Sequence, residues 1–101
     1  MLIGNEKLSI ATVKEELYPV FKKHGVKSAI LFGSVAKNIN TPSSDVDLLV
    51  DSRLKGLQFF GLVEDIRETL NKTVDVFDIT HINHGSPIDN EIKKTGVLIY
   101  D

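Results

Sequence analysis

The stretch "LFGSVAKNINTPSSDVDLLV", residues 31–50, decides the fold. It opens on an apolar run that stops at Gly33-Ser34, crosses a segment rich in Asn, Thr, Pro and Ser, and resumes with Val46, Leu48 and Val50 alternating with Asp45, Asp47 and Leu49. An apolar run bounded by glycine predicts a central strand buried on both faces, strict alternation predicts a second strand, and the polar segment between them is turn chemistry. The second strand begins with two like charges. On a strand, side chains two residues apart project the same way, so Asp45 and Asp47 stand about 6.7 Å apart at a rise near 3.3 Å per residue. Two ionised carboxylates at that separation raise each other's pKa unless water, a base or a cation lies between them. Mg²⁺ resolves the conflict, because it takes one or two protein carboxylates together with phosphate oxygens and water. Taken alone, the pair also suits two solvated caps at the start of an edge strand.

Gly33-Ser34 bears on that choice. A glycine at the end of a buried strand lets a phosphate approach the backbone, Ser34 adds a hydroxyl, and the N–H groups of a short helical turn over Ser34 to Lys37 would point at an anion. The plain alternative is a strand-to-helix turn with no ligand. A third acid comes from Thr73-Val74-Asp75-Val76-Phe77-Asp78, where Asp75 lies within an apolar strand and, as a buried charge, should have a partner. Three carboxylates suffice for two-metal phosphoryl or nucleotidyl transfer, with Asp75 as the third ligand and a candidate base for the attacking hydroxyl. Asp78 competes for that place, since the strand register is open, and otherwise reads as a strand-end polar residue. Asp51 reads as solvated.

Outward from this stretch, strands and helices alternate. A helix is predicted from Ser9 as N-cap, with Ile10, Val13, Leu17, Val20 and Phe21 at helical spacing and Gly25 as its stop; Pro19 should kink or break it. Val26 to Phe32 forms the first strand and Lys37 to Ser44 a loop. Leu57 to Leu70 makes an amphipathic helix, Thr73 to Ile79 a strand, and His81 to Ser86 a loop. Pro87 to Thr95 forms a helix closed by Gly96, and Val97 to Tyr100 a last strand. The fold class is α/β: a small mixed β-sheet flanked by helices, in a single domain over residues 1–101. Leu57, Phe59, Phe60, Leu62 and Val63 give the second long helix a wider apolar surface than one core stripe needs, read here as core packing. His24 is read as a helix C-terminal residue, His81 and His84 as a solvated loop in preference to a metal pair, and Tyr18 and Tyr100 as packing residues.

Composition limits the function. With 42% hydrophobic and 26% charged residues in 101, the chain suits one soluble globular domain. No apolar run approaches the roughly 18 to 20 residues of a membrane span, and no secretory signal pattern opens the chain, so a cytoplasmic location is expected. The absence of cysteine excludes disulfides, thiolate metal sites and a cysteine nucleophile. A net charge of −2 with scattered lysines speaks against direct binding of duplex nucleic acid and favours small-molecule or protein partners.

At these residues the sequence resembles the minimal nucleotidyltransferases of the DNA polymerase β superfamily. That family's signature is Gly-Ser, ten intervening residues, Asp-x-Asp, and a later strand aspartate. Here Gly33-Ser34, the ten residues Val35 to Ser44, Asp45-Val46-Asp47 and Val74-Asp75-Val76 match it, and the likeness spans about residues 10 to 100. The resemblance implies a polymerase-β-like nucleotidyltransferase fold in which Ser34 holds the triphosphate of ATP, Asp45 and Asp47 bind two Mg²⁺ ions, and Asp75 serves the second metal and the acceptor. It makes Gly33, Ser34 and Lys37 the candidate nucleotide-binding residues, and Asp45, Asp47 and Asp75 the candidate catalytic and metal-binding residues. Small stand-alone members of the family are commonly antitoxins encoded with a HEPN-domain toxin and are similar to enzymes that transfer AMP from ATP to a tyrosine of that toxin. One departure stands out: Ala36-Lys37-Asn38 occupies the place of the usual Ala-Arg-Gly, so positive charge is kept without the guanidinium fork. Larger relatives carry a helical domain for the acceptor, which 101 residues leave no room for, so a partner is expected to present the hydroxyl. Two alternatives stand beside this reading: an antitoxin that works by occlusion alone, and transfer to a small molecule of the aminoglycoside type.

Overall fold

The computed structural model describes residues 9–37 and 45–101. The expected loop from Lys37 to Ser44 therefore lies, beyond Lys37 itself, outside the described residues. Helix α1, Ile10–His24, forms because Val13, Leu17, Val20 and Phe21 recur on one face and are buried together. Ser9 Oγ accepts the Thr12 N–H at 3.1 Å to start it. Gly25 ends it at φ 70°, and the Val26 N–H returns to the Phe21 carbonyl at 3.0 Å. Pro19 does not break α1. It sits on the exposed side of the helix, as does Glu15, whose carbonyl loses its N–H partner towards water rather than inside the core.

Four strands follow: β1 (Ser28–Phe32), β2 (Val46–Asp51), β3 (Val74–Asp78) and β4 (Val97–Tyr100). They lie in the order β3-β2-β1-β4, with β1 antiparallel to β2 and β4, and β2 parallel to β3. Helix α2 (Leu57–Leu70) makes the crossover that the parallel pair requires, and helix α3 (Pro87–Thr95) precedes β4. Two strands are shorter than expected. Val26 is held by the end of α1, and Ile79 leaves β3 for a 3₁₀ turn, Ile79–His81, capped by Asp78.

Alternate residues of the sheet face α1 and α2. Ala29, Leu31, Val46, Leu48, Val50, Val74 and Ile99 pack with Leu17, Phe21, Leu62, Ile66 and Leu70 in one core. Each of these side chains except Ala29 contributes roughly 1.5–3 kcal/mol of burial. Arg67 ties α2 to the sheet, its Nε and Nη2 both donating to the Val74 carbonyl at 3.2 Å. His24 does more than complement a helix dipole, since its Nε2 lies 2.6 Å from Asp65 Oδ2 and joins α1 to α2. That bond is the main reason the Asp65 carboxyl titrates below its ordinary value.

The second face is only partly covered. Helix α3 packs against β1, leaving Ser28 and Ile30 half-buried, so β1 is not buried on both faces as expected. Leu57 and Phe60 of α2, expected in the core, are 88% and 59% exposed. The wide apolar surface of α2 is thus core on one side and solvent-facing on the other.

Candidate active site

Strand register builds the site on the open face. Phe32 pairs with Asp47, and Asp47 with Asp75, so one row across β1, β2 and β3 carries two carboxylates side by side. Asp45 lies just before β2 and is exposed. Gly33 closes β1 at φ +79° and begins a single turn in which the Lys37 N–H donates to the Gly33 carbonyl at 3.1 Å. The glycine is needed twice. A left-handed φ disfavours a side chain, and a Cβ at this position would stand 2.5 Å from Asp47 Oδ2. The Asp47 carboxylate therefore rests directly over the start of the Gly33-Ser34 turn. Ser34 is half-buried in that turn, beside the buried Gly33.

Electrostatics agree with the crowding. Burial pushes the Asp47 carboxyl up to about 6, helped by the negative charges of Asp75, Asp45 and Glu91. Asp75 itself is exposed, on an edge strand, so it is not the buried charge that its apolar flanks suggested. The buried acid is Asp78, 3% exposed on the opposite, core-facing parity. Its carboxylate accepts from Ser52 N and Oγ at 3.0 and 2.6 Å and from Thr80 N and Oγ1 at 3.1 and 2.8 Å. Burial acts to raise its pKa, but these bonds outweigh that and hold it at about 2. Asp78 is committed to joining β3, the 3₁₀ turn and the segment after β2. Asp51 is half-buried rather than solvated.

Helix α3 brings two residues that the sequence did not mark. Thr95 Oγ1 accepts the Gly33 N–H at 3.2 Å, and Glu91 Oε1 pairs with Lys37 Nζ at 3.3 Å. Their spacing on one helical face was visible, but nothing local tied that face to Gly33. His81 and His84 do not form a metal pair: His81 Nδ1 accepts the Asp78 N–H, and His84 lies out in solvent beside Asp89.

Among the described residues, no three His, Asp or Glu side chains converge to hold a metal ion by themselves. The donor set suits a hard cation in another way. Crowded carboxylates, one of them held at a raised pKa by burial and its acidic neighbours, fit Mg²⁺ that completes its shell with phosphate oxygens and water. No helix among the described residues is long and apolar enough to cross a membrane.

Comparison with known proteins identifies the arrangement. The sequence profile of the family described as "Polymerase beta, Nucleotidyltransferase" matches residues 15–101. A protein of Methanocaldococcus jannaschii named "Putative protein adenylyltransferase" is 37% identical over 79 residues, covering 75% of this chain and 84% of its own. Among solved structures, a toxin–antitoxin with AMP-PNP superposes with a TM-score of 0.72 at 17% identity, over 85% of this chain and 71% of the other. A tri-AMPylated Shewanella oneidensis HEPN toxin in complex with MNT antitoxin gives a TM-score of 0.67 at 15% identity, over 89% and 71%. These two likenesses concern the fold, a mixed four-stranded sheet with three helices in the polymerase-β-like nucleotidyltransferase arrangement. With its glycine–serine turn, its row of carboxylates and a profile match over most of its length, the chain belongs to the polymerase β nucleotidyltransferase family.

Proposed function

We propose that this chain is a Mg²⁺-dependent protein adenylyltransferase that moves AMP from ATP to a tyrosine hydroxyl of a partner HEPN toxin, and so acts in the cytoplasm as its antitoxin. The observation that carries the reading is the register that sets Asp47 beside Asp75 and lays its carboxylate over Gly33. The names of the relatives support the chemistry and the kind of partner. Ser34 and the N–H groups of its turn bind the triphosphate, and Lys37 adds positive charge at the end of that turn. Asp45, Asp47 and Asp75 would hold Mg²⁺, which supplies positive charge to the phosphate oxygens and the incoming hydroxyl. Asp75, on the exposed edge strand, takes the hydroxyl proton as the acceptor oxygen bonds to the α-phosphorus and pyrophosphate leaves. A groove beside Asp75, lined by Phe59, Phe60, Val63, Arg67 and Phe77, offers the acceptor a partly apolar seat.

The experiment is label transfer from α-labelled ATP to the co-purified partner. The Asp45→Asn/Asp47→Asn variant should fold and transfer nothing; transfer at the normal rate would end the assignment. A second reading, occlusion without chemistry, is favoured by the pairing of Lys37 with Glu91. It predicts that the same variant still protects cells from the partner, and loss of protection counts against it.

A further inference from the structure

Gly33 and Lys37 stand at the two ends of the turn read here as the phosphate seat, and the Gly33 N–H and the Lys37 ammonium are both already engaged by α3. Gly33 is buried, so its N–H needs an acceptor, and Thr95 Oγ1 provides one at 3.2 Å. The Thr95 hydroxyl spends its own proton on the Glu91 carbonyl at 2.9 Å, leaving a lone pair towards Gly33. One turn earlier on the same side of α3, Glu91 Oε1 pairs with Lys37 Nζ at 3.3 Å. The end of α3 is seated closely: a Cβ on Gly96 would stand 3.0 Å from Ile30 Cγ2 of β1. Glu91 therefore adds a fourth acidic side chain to a site that already holds Asp45, Asp47 and Asp75.

We propose that Glu91 and Thr95 form a latch on the nucleotide seat, competing with the triphosphate for Lys37 and for the Gly33 N–H and so setting a weak affinity for the nucleotide. The inference rests on the nucleotidyltransferase reading above and adds to it two affinity-determining residues. The chemistry is simple competition. A single N–H cannot bond a threonine oxygen and a phosphate oxygen at full strength, and a lysine drawn to Glu91 is shared with any anion placed at the turn. Neither Glu91 nor Thr95 touches the reacting atoms. They act through donors that this reading places on the triphosphate.

The test is equilibrium binding of ATP, in Mg²⁺ and in EDTA, to the full chain and to Glu91→Gln, Lys37→Gln and the double variant. Releasing a partly exposed ion pair should tighten binding about 2- to 5-fold in Glu91→Gln. Lys37→Gln should weaken binding, and in that background the Glu91→Gln gain should vanish. Weaker or unchanged binding in Glu91→Gln, or an equal gain with and without Lys37, overturns the latch and leaves the nucleotidyltransferase reading standing. Failure of the unaltered chain to bind ATP removes that reading and the latch with it. Thr95→Val and Thr95→Ser supply a second readout. ATP should raise the melting temperature of Thr95→Val more than that of Thr95→Ser, because only the former leaves the Gly33 N–H for phosphate; equal shifts contradict the competition.

Discussion

Replacing Asp47 by Asn removes a charge that the folded chain holds at a disadvantage. Burial and three neighbouring acids push this carboxyl from 3.8 to about 6. A group whose pKa is higher folded than unfolded binds its extra proton in the folded state between the two values. Stability therefore falls as pH rises from about 4 to 6, and the full penalty is present above that. Two pKa units correspond to a ceiling of about 3 kcal/mol. Because Asp47 is only half-buried, solvent screening reduces this to about 1 kcal/mol. Asp47→Asn should then melt about 4–8 °C above the parent at pH 7 in EDTA, and at the parent's temperature near pH 3.5. Added Mg²⁺ should stabilise the parent more than the variant, narrowing the gap. Differential scanning calorimetry across pH 3.5–7.5 reads all of this. A variant no more stable than the parent at pH 7, or one whose gain is the same at every pH, refutes the electrostatic reasoning.

Gly33→Ala should destabilise the chain by at least about 1–2 kcal/mol, since the left-handed φ and the contact with Asp47 Oδ2 both oppose a side chain; an unchanged denaturant midpoint would contradict this. Asp78→Asn should lose about 1–2 kcal/mol at pH 7. The Asp78 contribution is present above pH 4 and lost as pH falls towards about 2, so the gap between variant and parent should close over that range in acid titrations. Phe60→Ser, at an exposed position, should leave the melting temperature within about 2 °C while weakening capture of the partner, and capture at parental strength would remove the groove from the docking surface.

Much of the fold was legible because periodicity and caps coincide. Ser9, Gly25, Pro87 and Gly96 mark helix ends, and Val46, Leu48 and Val50 mark the core face of β2. The strand ends were misread where a hydrogen bond, not a pattern, decides: Val26 belongs to the close of α1 and Ile79 to the turn capped by Asp78. The third acid shows the same limit. Asp75 and Asp78 are both acids in one apolar strand, but only pairing with β2 reveals that Asp75 shares a row with Asp47 while Asp78 turns to the core. Local sequence does not carry contacts such as His24 with Asp65 or Gly33 with Thr95, which span 41 and 62 residues. Leu57 and Phe60 were placed in the core because helical spacing measures the width of an apolar surface, not what covers it.

Transfer of AMP to a partner is tested most directly by intact-mass analysis of the proteins that co-purify with this chain from its own host, before and after ATP and Mg²⁺. The parent should add the mass of one or more AMP units to the partner, and Asp45→Asn/Asp47→Asn, although folded, should add none. A partner of unchanged mass in a stable complex with the parent would contradict the enzyme and leave a protein that acts by occlusion.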